Sequence, residues 1–123
     1  MNNMITEQDF SLDELVRKLK KPKMGAIVTF LGIVRDEEGL KGMEIEIKDK
    51  TRAEKELEQL KREALEKFDV EAVEIVHRKG SLEAGDNIVA ILAGAKHRKE
   101  AFRACKYLID VLRISETIRL KGK

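Results

Sequence analysis

The sequence predicts an α+β domain in which about three helices pack on a mixed, largely antiparallel β-sheet. Three observations predict it. Stretches with apolar residues at helical spacing are interrupted by β-branched runs whose patterns suit strands. Those runs come in pairs between the helices, giving the order α-β-β-α-β-β-α-β rather than a strict βαβ alternation. Finally, 123 residues with 42% hydrophobic and 39% charged side chains suffice for one core with a wet surface. No repeat, low-complexity tract or linker divides the chain, so residues 1–123 read as one domain.

The elements follow in order. Residues 11–20, SLDELVRKLK, form a short helix: Ser11 and Glu14 fit a capping box, and Leu12, Leu15, Val16 and Leu19 make one apolar face. Pro22 helps to end it. GAIVTFLGIVR (25–35) reads as a long, mostly buried strand, and the loop DEEGLKG (36–42) leads to MEIEIKD (43–49), which alternates as a strand with one wet face does. Thr51 and Glu54 suggest a second capping box, opening a helix that runs to about Lys67 with Leu57, Leu60, Ala64, Leu65 and Phe68 inward. VEAVEIVHR (70–78) is a strand, SLEAGD (81–86) holds a turn, and NIVAILAGA (87–95) is apolar enough for a central strand. A helix from Lys96 to about Leu112 buries Ala101, Cys105, Leu108, Ile109 and Leu112, and the tail ISETIRLKGK gives a last short strand through Ile118 and Leu120.

Composition excludes several functions. The net charge of +2 and aromatic content of 4% argue against a nucleic-acid surface, so any anion site must come from local clustering. A single cysteine, Cys105, rules out an internal disulfide and a cysteine zinc site, and two histidines make a His-rich metal site unexpected. No apolar run reaches the ~18–20 residues that span a bilayer. The start, MNNMITEQDF, lacks a secretory pattern, so the cytoplasm is the expected setting. Nucleotide-loop, nucleophile-elbow and zinc-protease motifs are missing, and no resident cofactor or metal is expected.

The clearest chemical signal is GAKHRKEAF (94–102). It places Lys96, His97, Arg98 and Lys99 at the start of a helix, where the dipole disfavours cations, and offers no Ser, Thr, Asp or Asn cap. A bound phosphate or carboxylate would use the free N–H groups and pair with His97 and Arg98; solvated side chains are the alternative. Arg35, delivered by a strand to its rim, is a fork for the same kind of anion or a partner for Asp36, Glu37 or Glu38. Arg113 suits a helix C-terminus, and a tail lysine beside an anion pocket is a proton donor or clamp. His77, at a strand end, reads as packed or solvent-facing, and Cys105 on an apolar face reads as an inert thiol.

GAIVTFLGIVRD, then VHRKGSLEAGD, then AKHRKEAFRACKYLID resemble the large, catalytic subunit of molybdopterin synthase, in order and spacing, over about residues 24–113. The resemblance implies an α/β-hammerhead type fold and a homodimer. It implies a small ubiquitin-like sulfur carrier on each subunit, making a heterotetramer, with neither nucleic acid nor membrane as partner. The carrier's C-terminal Gly-Gly thiocarboxylate would enter the large subunit and pass sulfur to cyclic pyranopterin monophosphate, on the route to a molybdenum or tungsten cofactor. The family's substrate-binding residues fall on Ile33, Val34, Arg35, His97 and Arg98, so these cations are expected to meet around one anion. Its two lysines fall on Arg113 and Leu120, with Lys121 adjacent, which makes Arg113 and Lys121 the expected catalytic pair. The missing proline and aromatics of that segment leave a second reading, a non-catalytic paralogue serving as a dimeric binding module for a ubiquitin-like partner or a pterin phosphate.

Overall fold

Why the run 87–95 carries no polar side chain after Asn87 is plain in the computed structural model, which describes residues 4–123. Asn87–Ala95 (β6) lies inside a four-stranded sheet with helices on both faces. Its alternate residues Val89, Ile91 and Ala93 enter one core, while Ala90 and Leu92 enter another. Such a strand has no wet face, so its sequence cannot alternate.

The sheet order is β1 (Ile5–Thr6), β4 (Ala72–Arg78), β6, β2 (Ala26–Ile33); β1 runs parallel to β4 and the other pairs are antiparallel. A second antiparallel sheet has the order β5 (Gly80–Glu83), β3 (Gly42–Glu46), β7 (Arg119–Gly122). Helix α1 (Leu12–Leu19) covers one face of the larger sheet through Leu19, Leu15 and Leu12. Helices α2 (Lys50–Lys67) and α3 (Arg98–Leu112) cover the other, burying Leu57, Leu60, Ala104 and Leu108. The α+β class and the mixed, mainly antiparallel pairing agree with the sequence.

Several details differ. The observed order is β-α-β-β-α-β-β-β-α-β: β1 was not expected, and β5 overlaps the stretch 81–86 read as holding a turn. The strand expected to be mostly buried, β2, is the sheet's edge and only half-buried; Val28 and Phe30 pack on the core under α3, Ile27 packs on the cluster under α1, and Thr29 and Ile33 are exposed. The cap of α2 is Asp49, whose carboxylate accepts the Arg52 N–H at 3.1 Å, so the helix begins before Thr51. Leu65 is exposed rather than inward, one position round from the buried Ala64. At α1 the expected cap is present: Ser11 Oγ accepts from the Glu14 N–H.

Candidate active site

The cationic residues sort into two places. The first is the junction of β6 and α3. There Gly25, Ala26, His97, Arg98, Lys99 and Phe102 border an open concavity of about 710 Å³. His97 is the N-cap residue of α3, extended at φ −126° and ψ 141°, and its side chain makes no capping bond. Glu100, the one acid of the first turn, points elsewhere: it accepts the Asp69 N–H at 3.1 Å and pairs with Arg103 at 2.8 Å. The Asp69 hydrogen bond and the Arg103 bond hold its carboxyl below the usual range. Lys96, His97 and Arg98 form no salt bridge among the described residues, and the first-turn N–H groups of α3 lack a side-chain acceptor. Gly25 is needed here because a Cβ would strike the Lys96 carbonyl, where the chain before β2 passes against the end of β6.

The second place is a cleft of about 670 Å³ at the opposite end of the sheet, between β2, β4, β6 and the C-terminal end of α3. Its walls are apolar, and Arg113, Arg119 and Lys121 stand at its border. Arg113 caps α3, its N–H bonded to the Ile109 carbonyl at 3.2 Å, where a cation suits the dipole. Ile33 lines the cleft just past a register shift between Gly32 and Ile33. Val34 is buried at 3% exposure and bonded through its backbone to Asp86 and Gly85, which fixes where the chain leaves the strand. Arg35, next in line, is exposed and paired with Glu37.

The structure therefore corrects the expectation that Arg35, His97 and Arg98 meet within one chain. Arg35 lies beyond the Ile33↔Asn87 end of the β2–β6 pair, and His97 lies beyond the Ala26↔Ala95 end. At about 3.3 Å per residue, the eight-residue strand separates them by about 25 Å. What it does bring together at one cleft is Ile33, Arg113 and Lys121, with Arg35 nearby in sequence.

The two tail positions differ in direction. Leu120 pairs with the buried Ile45 and Lys121 with Glu44, so they face opposite sides of the β7 ribbon. The Lys121 ammonium is 3.8 Å from Glu46. The turn before β7 is fixed from α2: Glu56 accepts hydrogen bonds from Ser115 Oγ and, at 2.7 Å, from Thr117 Oγ1. Ser115 Oγ also accepts the Thr117 and Ile118 N–H groups, both at 3.2 Å.

His77, read from sequence as packed or solvent-facing, is buried at 3% exposure and lines the cleft. Burial pulls its pKa down, and a bond from Nδ1 to the Arg78 carbonyl at 2.8 Å opposes this only in part. Its signal in sequence was a polar residue in step with Val73 and Ile75 on the strand's inward face. Cys105 is buried, its thiol pushed up to about 11 by desolvation, and is no nucleophile. Among the described residues no helix is long and apolar enough to cross a membrane, and no His, Cys, Asp and Glu groups gather to hold a metal ion.

Fold and site together define a small α+β protein with an apolar cleft bordered by cations and, at a distance, a basic concavity suited to an anion. A family model described as MoaE protein matches residues 5–114, and the chain belongs to that family. It is 40% identical over 106 residues to the molybdopterin synthase catalytic subunit of Pyrococcus abyssi, covering 84% of this chain and 71% of that one. The crystal structure of molybdopterin synthase from Staphylococcus aureus superposes with a TM-score of 0.90 at 30% identity, covering 100% of this chain and 92% of that chain. A complex of subunits 1 and 2 of molybdopterin-converting factor from Helicobacter pylori shares the fold, with a TM-score of 0.78 at 21% identity over 96% of this chain and 82% of that chain.

Proposed function

We propose that the chain is a catalytic subunit of molybdopterin synthase, moving sulfur from the thiocarboxylate of a ubiquitin-like carrier to cyclic pyranopterin monophosphate in the cytoplasm. The observation that carries this reading is the cleft: it is mainly apolar and bordered by Arg113, as a chain end carrying a negative terminus requires. The nucleophilic sulfur comes with the carrier, so the chain needs no reactive thiol, in keeping with the inert Cys105. In this reading Arg113 stabilises negative charge at the carrier's terminal carbonyl as sulfur leaves it. Lys121, the other expected catalytic residue, adds positive potential at the rim while pairing with Glu46.

The substrate's cyclic phosphate would bind His97, Arg98 and the N–H groups of α3. One chain holds these about 25 Å from Arg35, so the account requires the homodimer that the resemblance implies. Two-fold pairing would bring Arg35 and the cleft of one protomer beside the basic concavity of its partner. The family resemblance further implies a carrier on each protomer, as a heterotetramer. Mixing the purified protein with thiocarboxylated carrier and pyranopterin precursor tests the function. Dithiolene product is expected; none at high enzyme concentration with a verified carrier would refute it.

A further inference from the structure

His77, Val89 and Gly32 form a row across three strands, since His77 pairs with Val89 and Val89 with Gly32. All three line the cleft, and His77 is the one polar side chain that the four-stranded sheet gives to its described lining. Gly32 keeps the row open: a Cβ there would lie 2.8 Å from a Val89 methyl. His77 as a whole is 3% exposed. Its Nδ1 lies 2.8 Å from the Arg78 carbonyl oxygen, and because a carbonyl only accepts, Nδ1 carries the proton. Burial keeps the ring neutral, with the cations Arg113, Arg119 and Lys121 sharing its cleft. Nε2 is thus left with a lone pair to which no described residue donates, and it is not among the fully buried unpartnered atoms, so it stays accessible from the cleft that His77 lines. Once a ligand expels water from the cleft, such an acceptor is costly unless that ligand donates to it.

An extended peptide end entering an apolar trough has the complementary need. Its main-chain N–H groups lose water and must find acceptors. Only residues without side chains pass easily over a floor where glycine is required. We propose that His77 Nε2 accepts a hydrogen bond from a main-chain N–H of the carrier's C-terminal Gly-Gly segment. His77 is then a positioning residue that sets how deep the segment lies relative to Arg113. This rests on the cleft receiving the carrier, as proposed above.

The test is a titration of the full-length protein with a semisynthetic ubiquitin-like carrier ending in Gly-Gly, and with two analogues in which one of the last two amides is an ester. Wild-type protein is expected to bind one of the esters about tenfold more weakly than the amide. His77→Phe, which keeps a ring without the acceptor, should bind the amide about tenfold more weakly and no longer distinguish it from that ester. His77→Gln, with an amide oxygen near the Nε2 position, should recover most of the loss, and in turnover His77→Phe should raise KM for carrier more than it lowers kcat. Equal discrimination by wild type and His77→Phe, or none by wild type, overturns the assignment. So does an unmoved His77 Nε2 resonance in nitrogen NMR of the wild type on binding the amide carrier, a readout that needs no variant to fold. If the wild type fails to bind the amide carrier, the cleft is not the carrier's site, and the underlying reading falls separately and visibly.

Discussion

Arg35 and His97 follow the C-terminal ends of two adjacent antiparallel strands, β2 and β6, and therefore stand at opposite ends of the same ladder. No side-chain motion closes a gap of about 25 Å. Either the two act separately or a second protomer supplies one of them. This relationship, more than any single residue, decides how the substrate is held. It predicts that the protein is dimeric at working concentration, which sedimentation equilibrium measures.

Arg113 and Lys121 should differ in consequence. Arg113 has no salt bridge among the described residues and stands at the cleft, whereas Lys121 is tied to Glu46 on the face of β7 away from Leu120. Arg113→Ala is expected to lower kcat/KM by about a hundredfold and Lys121→Ala by less than about tenfold. Initial rates at carrier concentrations well below KM read both.

Glu56 fixes the segment that carries the cleft's far wall, through Ser115 and Thr117. Glu56→Ala leaves those hydroxyls without their acceptor and should cost about 1–3 kcal/mol in urea unfolding. Activity should fall with it, since the turn sets the position of Ile118 and Leu120 in the cleft.

Gly25→Ala tests the other end of the sheet. The new methyl meets the Lys96 carbonyl, which is backbone and cannot swing aside. We expect a loss of about 1–3 kcal/mol in stability and a weaker affinity for inorganic phosphate at the α3 N-terminus, followed by titration calorimetry.

His77 gives stability a pH dependence with a definite sign. Its folded pKa lies below the unfolded value near 6.5, because burial favours the neutral ring. The unfolded chain then binds more protons than the folded one between the two values. Stability is at its full value above about pH 6.5 and declines as pH falls through that window towards the lowered folded pKa. Urea midpoints between pH 7.5 and 5 should show the decline in wild type and a shallower one in His77→Phe.

The sequence spoke most clearly where one physical demand dominated. The unbroken apolar run of β6 could only be an interior strand, and Ser11 announced the start of α1. β1 was invisible because two residues carry no period, and β5 because its four begin with Gly80 and sit beside a turn. β2 looked buried because its β-branched residues serve an edge strand that is covered only in part, Ile27 packing on the α1 cluster while Thr29 and Ile33 stay exposed. The misplaced cap of α2 arose because Asp49 and Thr51 both suit the role and only geometry separates them. For the site, the wrong-signed charges at 96–99 were legible locally. The separation of Arg35 from them was not, since it depends on which strands pair and in which direction. His77 was underrated for the same reason: only the register shows it in line with Val89 and Gly32.

Subunit complementation tests the shared site most directly. Arg35→Ala and His97→Ala are each expected to be nearly inactive alone. Unfolded together and refolded as a mixture, they should recover about a quarter of the wild-type rate, because half of the randomly paired dimers then hold one intact site. A mixture no more active than its separate components would contradict an anion site assembled from Arg35 of one protomer and His97 of its partner.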